Sequence, residues 1–348
     1  MEKRILATWD FHSVPHSVGD IITFLERLEI ECIEHNINTI DFCFLFDSEH
    51  PARTHRFNGQ GKLEEDVNQN ITVNNFHTLF IPLFSAVFIS KRIGNFFIFN
   101  EYKRFYKFIE LNQYHYIFVP KTEDVLNKKH YYKESFKIVD EYYKKNKKIP
   151  YLECRQGTIQ HINLFFSEKI FPKYPVVVHI RNTKGYDDRN SSQEEWKKFF
   201  NECENKYKEI MFILIGTKND TQNFKGLSNI IISKDYFNTF EEDMILIKQS
   251  LLFLGTRSGP LMMAFFTGVP CIIFDYNLAP HEKCDFGKNF DFMNSCQKLI
   301  WRERAHPAAN CKVILDEFEK LYKSINKDEW KVKIENNKNN NKSYLELI

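Results

Sequence analysis

Five short runs of aliphatic and β-branched residues dominate the second half of the chain: VVVHI at Val176–Ile180, MFILIG at Met211–Gly216, NIIIS at Asn229–Ser233, LLFLG at Leu251–Gly255 and CIIFD at Cys271–Asp275. Runs this short and continuous suit strands buried on both faces. Between them, helical periodicity appears at Gln193–Tyr207, Glu241–Gln249 and Gly259–Thr267. Strand and helix in alternation is the pattern of a parallel sheet covered by helices on both sides.

The first half follows the same rule less sharply. Strands are expected at Ile5–Phe11, Thr39–Phe46, Phe96–Phe99 and Tyr116–Pro120. Helices are expected at Val18–Glu34, with Ile21, Ile22, Leu25, Leu28 and Ile33 on the apolar side, and at Phe76–Ile89, Tyr102–Leu111 and His130–Tyr143. Asp47–Ile71 is polar and reads as a long loop with room for a short helix. A chain of 348 residues exceeds the roughly 250 residues at which single cores stop growing. Two α/β domains are therefore expected, at 1–155 and 156–330, with a polar tail at 331–348 that ends the last helix, Cys311–Ile325. The crossing between domains falls in Pro150–Pro175, around a helical stretch at Gln160–Ile170.

Charge and cysteine usage exclude several classes. Lys and Arg total 48 against 46 Asp and Glu, so no global field marks a nucleic-acid partner, and any anion site must be local. Eight cysteines without a CxxC pair suit free thiols in a reducing compartment. The N-terminus lacks the apolar core of a signal peptide, so a cytoplasmic protein is expected. Phe76–Ile89, which contains Pro82, is too short for the roughly 20 residues of a membrane span. Nearby Lys91, Arg92, Lys103, Arg104 and Tyr106 leave peripheral contact with the inner membrane face open.

Ligands of doubly wound sheets sit beyond the C-terminal ends of the strands, so those ends hold the candidate chemistry. VVVHIRNTKGYDDRN carries a buried strand straight into His179, Arg181, Lys184, Arg189 and Asn190. Guanidinium groups there can fork onto a diphosphate, or pair with Asp187, Asp188 and Glu194 to shape a loop. FLGTRSGPLMMAFFTGVP places Thr256, Arg257, Ser258 and Gly259 in a tight turn before a helix. Ser258 suits the N-cap and Pro260 the first turn, which leaves free N–H groups for an anion, although a capped helix also occurs without one. MFILIGTKND offers Gly216 and Thr217 for backbone contact with a nucleotide. Asp235 could bond a ribose, while Glu241, Glu242 and Asp243 sit where the helix dipole favours carboxylates in any case.

At the other end of the chain, TWDFHSVPHSVGD closes a strand with Asp10, His12 and His16. Asp10 or His12 could act as general base on an acceptor hydroxyl, or serve only the turn. No GxGxxG, Walker loop, HExxH or GxSxG is present, which weakens dehydrogenase, NTPase, metalloprotease and hydrolase readings. No obligatory metal is expected, and no cofactor beyond a nucleotide sugar used as substrate.

Taken together, HIRN with its downstream DDRN, ILIG, and FLGTRSGPLMMAFFTGVPCIIFD resemble the donor domain of GT-B glycosyltransferases, most of all bacterial capsule and lipopolysaccharide transferases. The HIRN strand is also similar to the basic strand motif of fucosyltransferases, with Asn182 where that motif has a second arginine. The resemblance covers about residues 176–275. It implies two Rossmann-like domains facing a cleft, with nucleotide sugar on the C-terminal side and acceptor on the N-terminal side. Joined to the residues above, the expected activity is metal-independent transfer of sugar from a nucleotide-sugar donor to a glycan or lipid-linked glycan, inverting where a base acts opposite the leaving group, with Asp10, His12 and Arg181 as the catalytic set. Two other outcomes stay open at this level: an epimerase or hydrolase of the same fold, and a non-catalytic nucleotide- or sugar-binding module.

Overall fold

The computed structural model describes residues 3–12, 17–46, 52–57, 63–69, 76–118, 131–183, 190–256, 258–276, 297–301, 308–332 and 334. The chain divides into two compact units, the first running to Glu153 and the second opening at Cys154.

In the first unit, β1 (Arg4–Asp10), β2 (Thr39–Leu45), β5 (Ile93–Phe99) and β6 (Tyr116–Phe118) form a parallel sheet in the order β5-β2-β1-β6. Helix α1 (Val18–His35) links β1 to β2 and ends on Asn36, whose left-handed backbone (φ 53°) lets its N–H meet the carbonyls of Cys32 and Ile33. Helices α2 (Phe76–Val87), α3 (Tyr102–Leu111) and α4 (Tyr131–Asn146) complete the unit. Because α1 packs against both α2 and α4, it is covered almost all round, and even Glu26 is wholly buried. Burial, reinforced by nearby Glu29, pushes the Glu26 carboxyl well above the usual carboxylate range. Ile33, expected on the apolar side, is instead exposed.

The expected loop at 47–71 contains two strands, β3 (Ala52–Phe57) and β4 (Leu63–Gln69), paired antiparallel with Ala52 opposite Gln69. ARTHRF and LEEDVNQ lack the alternation of apolar side chains that announces a half-buried strand. Backbone pairing makes this ribbon, and side-chain pattern does not reveal it.

The second unit opens with α5 (Gln156–Phe165), which widens into a π turn at Phe166–Ile170 where the Phe171 N–H reaches the Phe166 carbonyl. There follow β7 (Tyr174–His179), α6 (Gln193–Lys206), β8 (Ile210–Ile215), the short α7 (Lys218–Thr221), β9 (Ile230–Ile232), α8 (Phe240–Gln249), β10 (Leu252–Thr256), the short α9 (Leu261–Phe265), β11 (Cys271–Tyr276), β12 (Gln297–Trp301) and α10 (Cys311–Ser324). All six strands are parallel, in the order β12-β11-β10-β7-β8-β9. Strand β12 adds an edge that the sequence pattern does not signal. Trp196, Phe199 and Phe200 of α6 and Ile314, Phe318 and Tyr322 of α10 pack on the strands, joined by Trp330 and Ile334. Ser192 accepts the Glu195 N–H at the start of α6, and Thr239 with Glu242 closes a capping box at the start of α8.

Strand order locates the site. The chain lays β8 and β9 outward on one side of β7, then returns to place β10, β11 and β12 on the other. The reversal falls between β7 and β10, and it is at such a point, in the crevice beyond the C-terminal ends of the strands, that doubly wound sheets bind their ligands.

Candidate active site

The residues that flank this crevice are those at the ends of β7 and β10. His179 closes β7 directly opposite Gly255 of β10. Its Nδ1 lies 3.0 Å from the Ser258 hydroxyl, and one residue pair further on the Arg181 N–H donates to Thr256 Oγ1 at 3.0 Å. Two hydroxyls from β10 thus lace the start of the loop after β7. His179, Thr256 and Ser258 are all buried, and Arg181 is partly so. Burial drives the His179 pKa down to about 4, aided by Arg181 and opposed by Asp220, so the ring is neutral at physiological pH.

From the other side, the turn after β8 supports the same loop. Buried Asp220 accepts the Asn182 N–H at 2.7 Å, the Thr217 N–H at 2.7 Å and the Thr217 hydroxyl at 2.6 Å. One carboxylate therefore caps α7 and holds the segment that carries Arg181. Gly216 makes the turn possible at φ 122°, where it backs onto Asp220 and His179 at once. Beyond Asn182, the Asn190 side chain closes the base of the loop, accepting the Thr183 N–H and donating to the Thr183 carbonyl, both at 2.9 Å.

His179, Arg181, Thr256 and Ser258 thus come together, with Gly216 and Thr217 beside them, and Gly259 follows Ser258 in the same turn. Two expectations for the turn after β10 change. Ser258 does not cap the helix, since its hydroxyl faces His179 while the cap position falls on Pro260. Helix α9 spans only Leu261–Phe265, with three-residue bonds such as Leu261 N–H to Ser258 carbonyl before it. So short a helix has too few aligned dipoles to bind an anion by itself. Asn190 is occupied by the loop backbone. Asp235, after the edge strand β9, pairs with Lys225 at 3.4 Å. Lys184, Asp187, Asp188, Arg189 and Arg257 lie outside the described residues.

In the first unit, Asp10 closes β1 and accepts the His12 N–H at 2.9 Å, the turn-forming bond that such a residue favours. Asp20, in the first turn of α1, is pushed up to about 7 by burial, against a hydrogen bond from Ser17. Asp20 and Asp220 are carboxyl groups that reading the strand ends alone misses. Each stands three residues after a hydroxyl, in Ser17-Val-Gly-Asp20 and Thr217-Lys-Asn-Asp220, the spacing of a capping box.

No family model and no curated protein matches the chain. Solved structures do. The E. coli heptosyltransferase WaaC with ADP-2-deoxy-2-fluoro heptose aligns over 91% of this chain and 99% of its own, at 11% identity and a TM-score of 0.50. The same enzyme with ADP aligns over 92% and 98%, at 10% identity and a TM-score of 0.50. A family 9 glycosyl transferase from Veillonella parvula aligns over 93% and 90%, at 12% identity and a TM-score of 0.44. Parallel sheets with a reversal in strand order, and an alignment running nearly end to end with WaaC, give this chain the GT-B fold.

Proposed function

We propose that this protein is a glycosyltransferase that moves a sugar from a nucleotide-sugar donor to a glycan or lipid-linked glycan in surface-polysaccharide synthesis. The observation that carries the reading is the convergence of His179, Arg181, Thr256 and Ser258 on the strand-order reversal between β7 and β10. A diphosphate placed there meets a guanidinium whose backbone is held on both sides, by Thr256 at Arg181 and by Asp220 at Asn182. Held donors of this kind stabilise the charge that develops on a departing diphosphate without reorganising during the reaction. Arg189, Arg257 and Gly259 belong to the same proposed donor site.

A carboxylate that titrates near neutrality is suited to take a proton from an acceptor hydroxyl, and Asp20 is such a group. We assign it the role of general base in preference to Asp10, whose carboxylate is engaged with the His12 N–H, and to His12 itself. Attack by a deprotonated acceptor opposite the leaving diphosphate inverts the anomeric carbon. Inversion and independence from metal are parts of this proposal, as is a cytoplasmic location with peripheral membrane contact. For that contact, exposed Ile81, Phe84 and Ile98 offer apolar surface, and exposed Lys103, Tyr106 and Lys107 offer basic and aromatic surface. Among the described residues no helix is long and apolar enough to cross a membrane.

That the aligned E. coli enzyme was solved with ADP and an ADP-heptose analogue makes ADP-sugars the first donors to test. Calorimetry and thermal shift against ADP, UDP, GDP, CMP and TDP, repeated on Arg181→Ala, test the donor site. Binding of one nucleotide, lost in Arg181→Ala, is expected. An intact, folded protein that binds none of them, and turns over none of the corresponding sugars, refutes the reading.

A further inference from the structure

The two hydroxyls at the end of β10 have different partners. Thr256 accepts a backbone N–H, which has one orientation. Ser258 meets an imidazole nitrogen, and the proton on that ring decides which way the hydroxyl points. With Nδ1 bare, Ser258 donates to the ring and turns its lone pairs outward, which repels an anion. With a proton on Nδ1 the ring donates, and the hydroxyl hydrogen is free for a phosphate oxygen.

Neighbouring groups set the resting state. Burial keeps the ring neutral, as its depressed pKa records. The space beside Gly216 is bordered by both the ring and a carboxylate: a methyl group there would stand 3.1 Å from His179 Cδ2 and 3.0 Å from Asp220 Oδ2. A neutral ring whose Nδ1 accepts from the Ser258 hydroxyl carries its proton on Nε2. Among the described residues, the charged groups that face the ring are Asp220, beyond β8, which favours protonation, and Arg181, two residues on in the chain, which opposes it. Strand β10 contributes the uncharged Ser258.

We propose that His179 is a positioning residue whose Nδ1 takes up a proton from solvent when a diphosphate binds, so that the Ser258 hydroxyl stops donating to the ring, accepts from it, and donates to the diphosphate instead. The proton adds to the ring to give an imidazolium that keeps Nε2–H, and the Ser258 O–H bond stays intact while the hydroxyl rotates. This inference rests on the nucleotide-sugar reading above.

An anion within a few ångströms raises a titrating group by about 1–3 pKa units. Starting from about 4, that predicts uptake of about 0.4–0.9 proton per bound ligand near pH 5. The measurement is calorimetric titration with ADP-sugars, then the other nucleotide sugars, in two buffers of different ionisation enthalpy. A nucleotide sugar is used because its diphosphate has no group titrating near pH 5. Uptake of that size in the native protein, lost in both His179→Gln and Ser258→Ala, is the expected result, with melting curves showing that each variant folds. Binding without uptake in the native protein overturns the inference by itself, and so does uptake that persists in both variants, since it then arises elsewhere. Failure of every nucleotide sugar to bind removes the nucleotide-sugar reading and this inference with it.

Discussion

Replacing Asp220 should loosen the candidate site from beneath. Its carboxylate accepts three hydrogen bonds, from the Asn182 N–H, the Thr217 N–H and the Thr217 hydroxyl. Thr217 is exposed, so water can replace the bonds lost there at little cost. Asn182 is only partly exposed, and hydrogen bonds to a charged acceptor contribute about 1.5–3 kcal/mol each. The bond to Asn182 therefore sets the loss, and Asp220→Ala should cost about 1.5–3 kcal/mol. Asp220→Asn keeps one acceptor oxygen but turns an amide NH2 toward a donor, so about half that loss is expected. Hydrogen exchange reads the effect locally: the amides of Asn182 and Thr217 should lose protection in Asp220→Ala before the rest of the sheet does. The urea midpoint of the second unit should fall in the order native, Asn, Ala, with an unchanged slope. Unfolding free energies equal within about 0.5 kcal/mol, or an Asn182 amide that stays protected in Asp220→Ala, would refute the assignment of this carboxylate as the support of the loop.

Three further outcomes are expected. His179 is held neutral, its folded pKa of about 4 lying below the unfolded value near 6.5. The unfolded state therefore binds more protons in that window, and stability present above pH 6.5 is lost as pH falls toward 4, by about 3 kcal/mol in all. Urea unfolding at pH 7 and pH 4.5 measures it, and His179→Gln should flatten the slope. Asp20 has the opposite sense: with a folded pKa of about 7, its ionisation lowers stability as pH rises from the usual carboxylate range to 7. A transfer rate with an acid limb near pH 7, and a kcat about 100-fold lower in Asp20→Asn, should appear together; a limb unchanged in the variant assigns the base elsewhere. Gly216→Ala places a methyl group against Asp220 and His179 at a φ of 122°. A strained backbone of this kind costs about 1–3 kcal/mol, and a melting temperature equal to that of the native protein would contradict the geometry.

Much of the architecture is legible from local pattern. Buried parallel strands need continuous apolar runs, so VVVHI, MFILIG and LLFLG mark themselves, and the residues that follow them identify His179, Arg181, Gly216, Thr256 and Ser258 as neighbours of the ligand crevice. Pattern fails where stability is not local. Strands β3 and β4 show no apolar alternation, and β12 stands apart from the five strong runs, because a strand held by backbone pairing need not carry that signal.

Local pattern thus names the series of elements and the chemistry available at their ends. How that chemistry is used depends on the packing of the whole chain. The return of the chain to lay β10 beside β7 brings Ser258 to His179, residues 79 apart in sequence, and removes Ser258 from the helix cap that local grammar assigns it. Packing around α1 and around the β7–β8 turn moves Asp20 toward neutrality and His179 away from charge. Propensity and capping act over a few residues, whereas desolvation depends on everything that closes over a group, and that is a property of the folded chain alone.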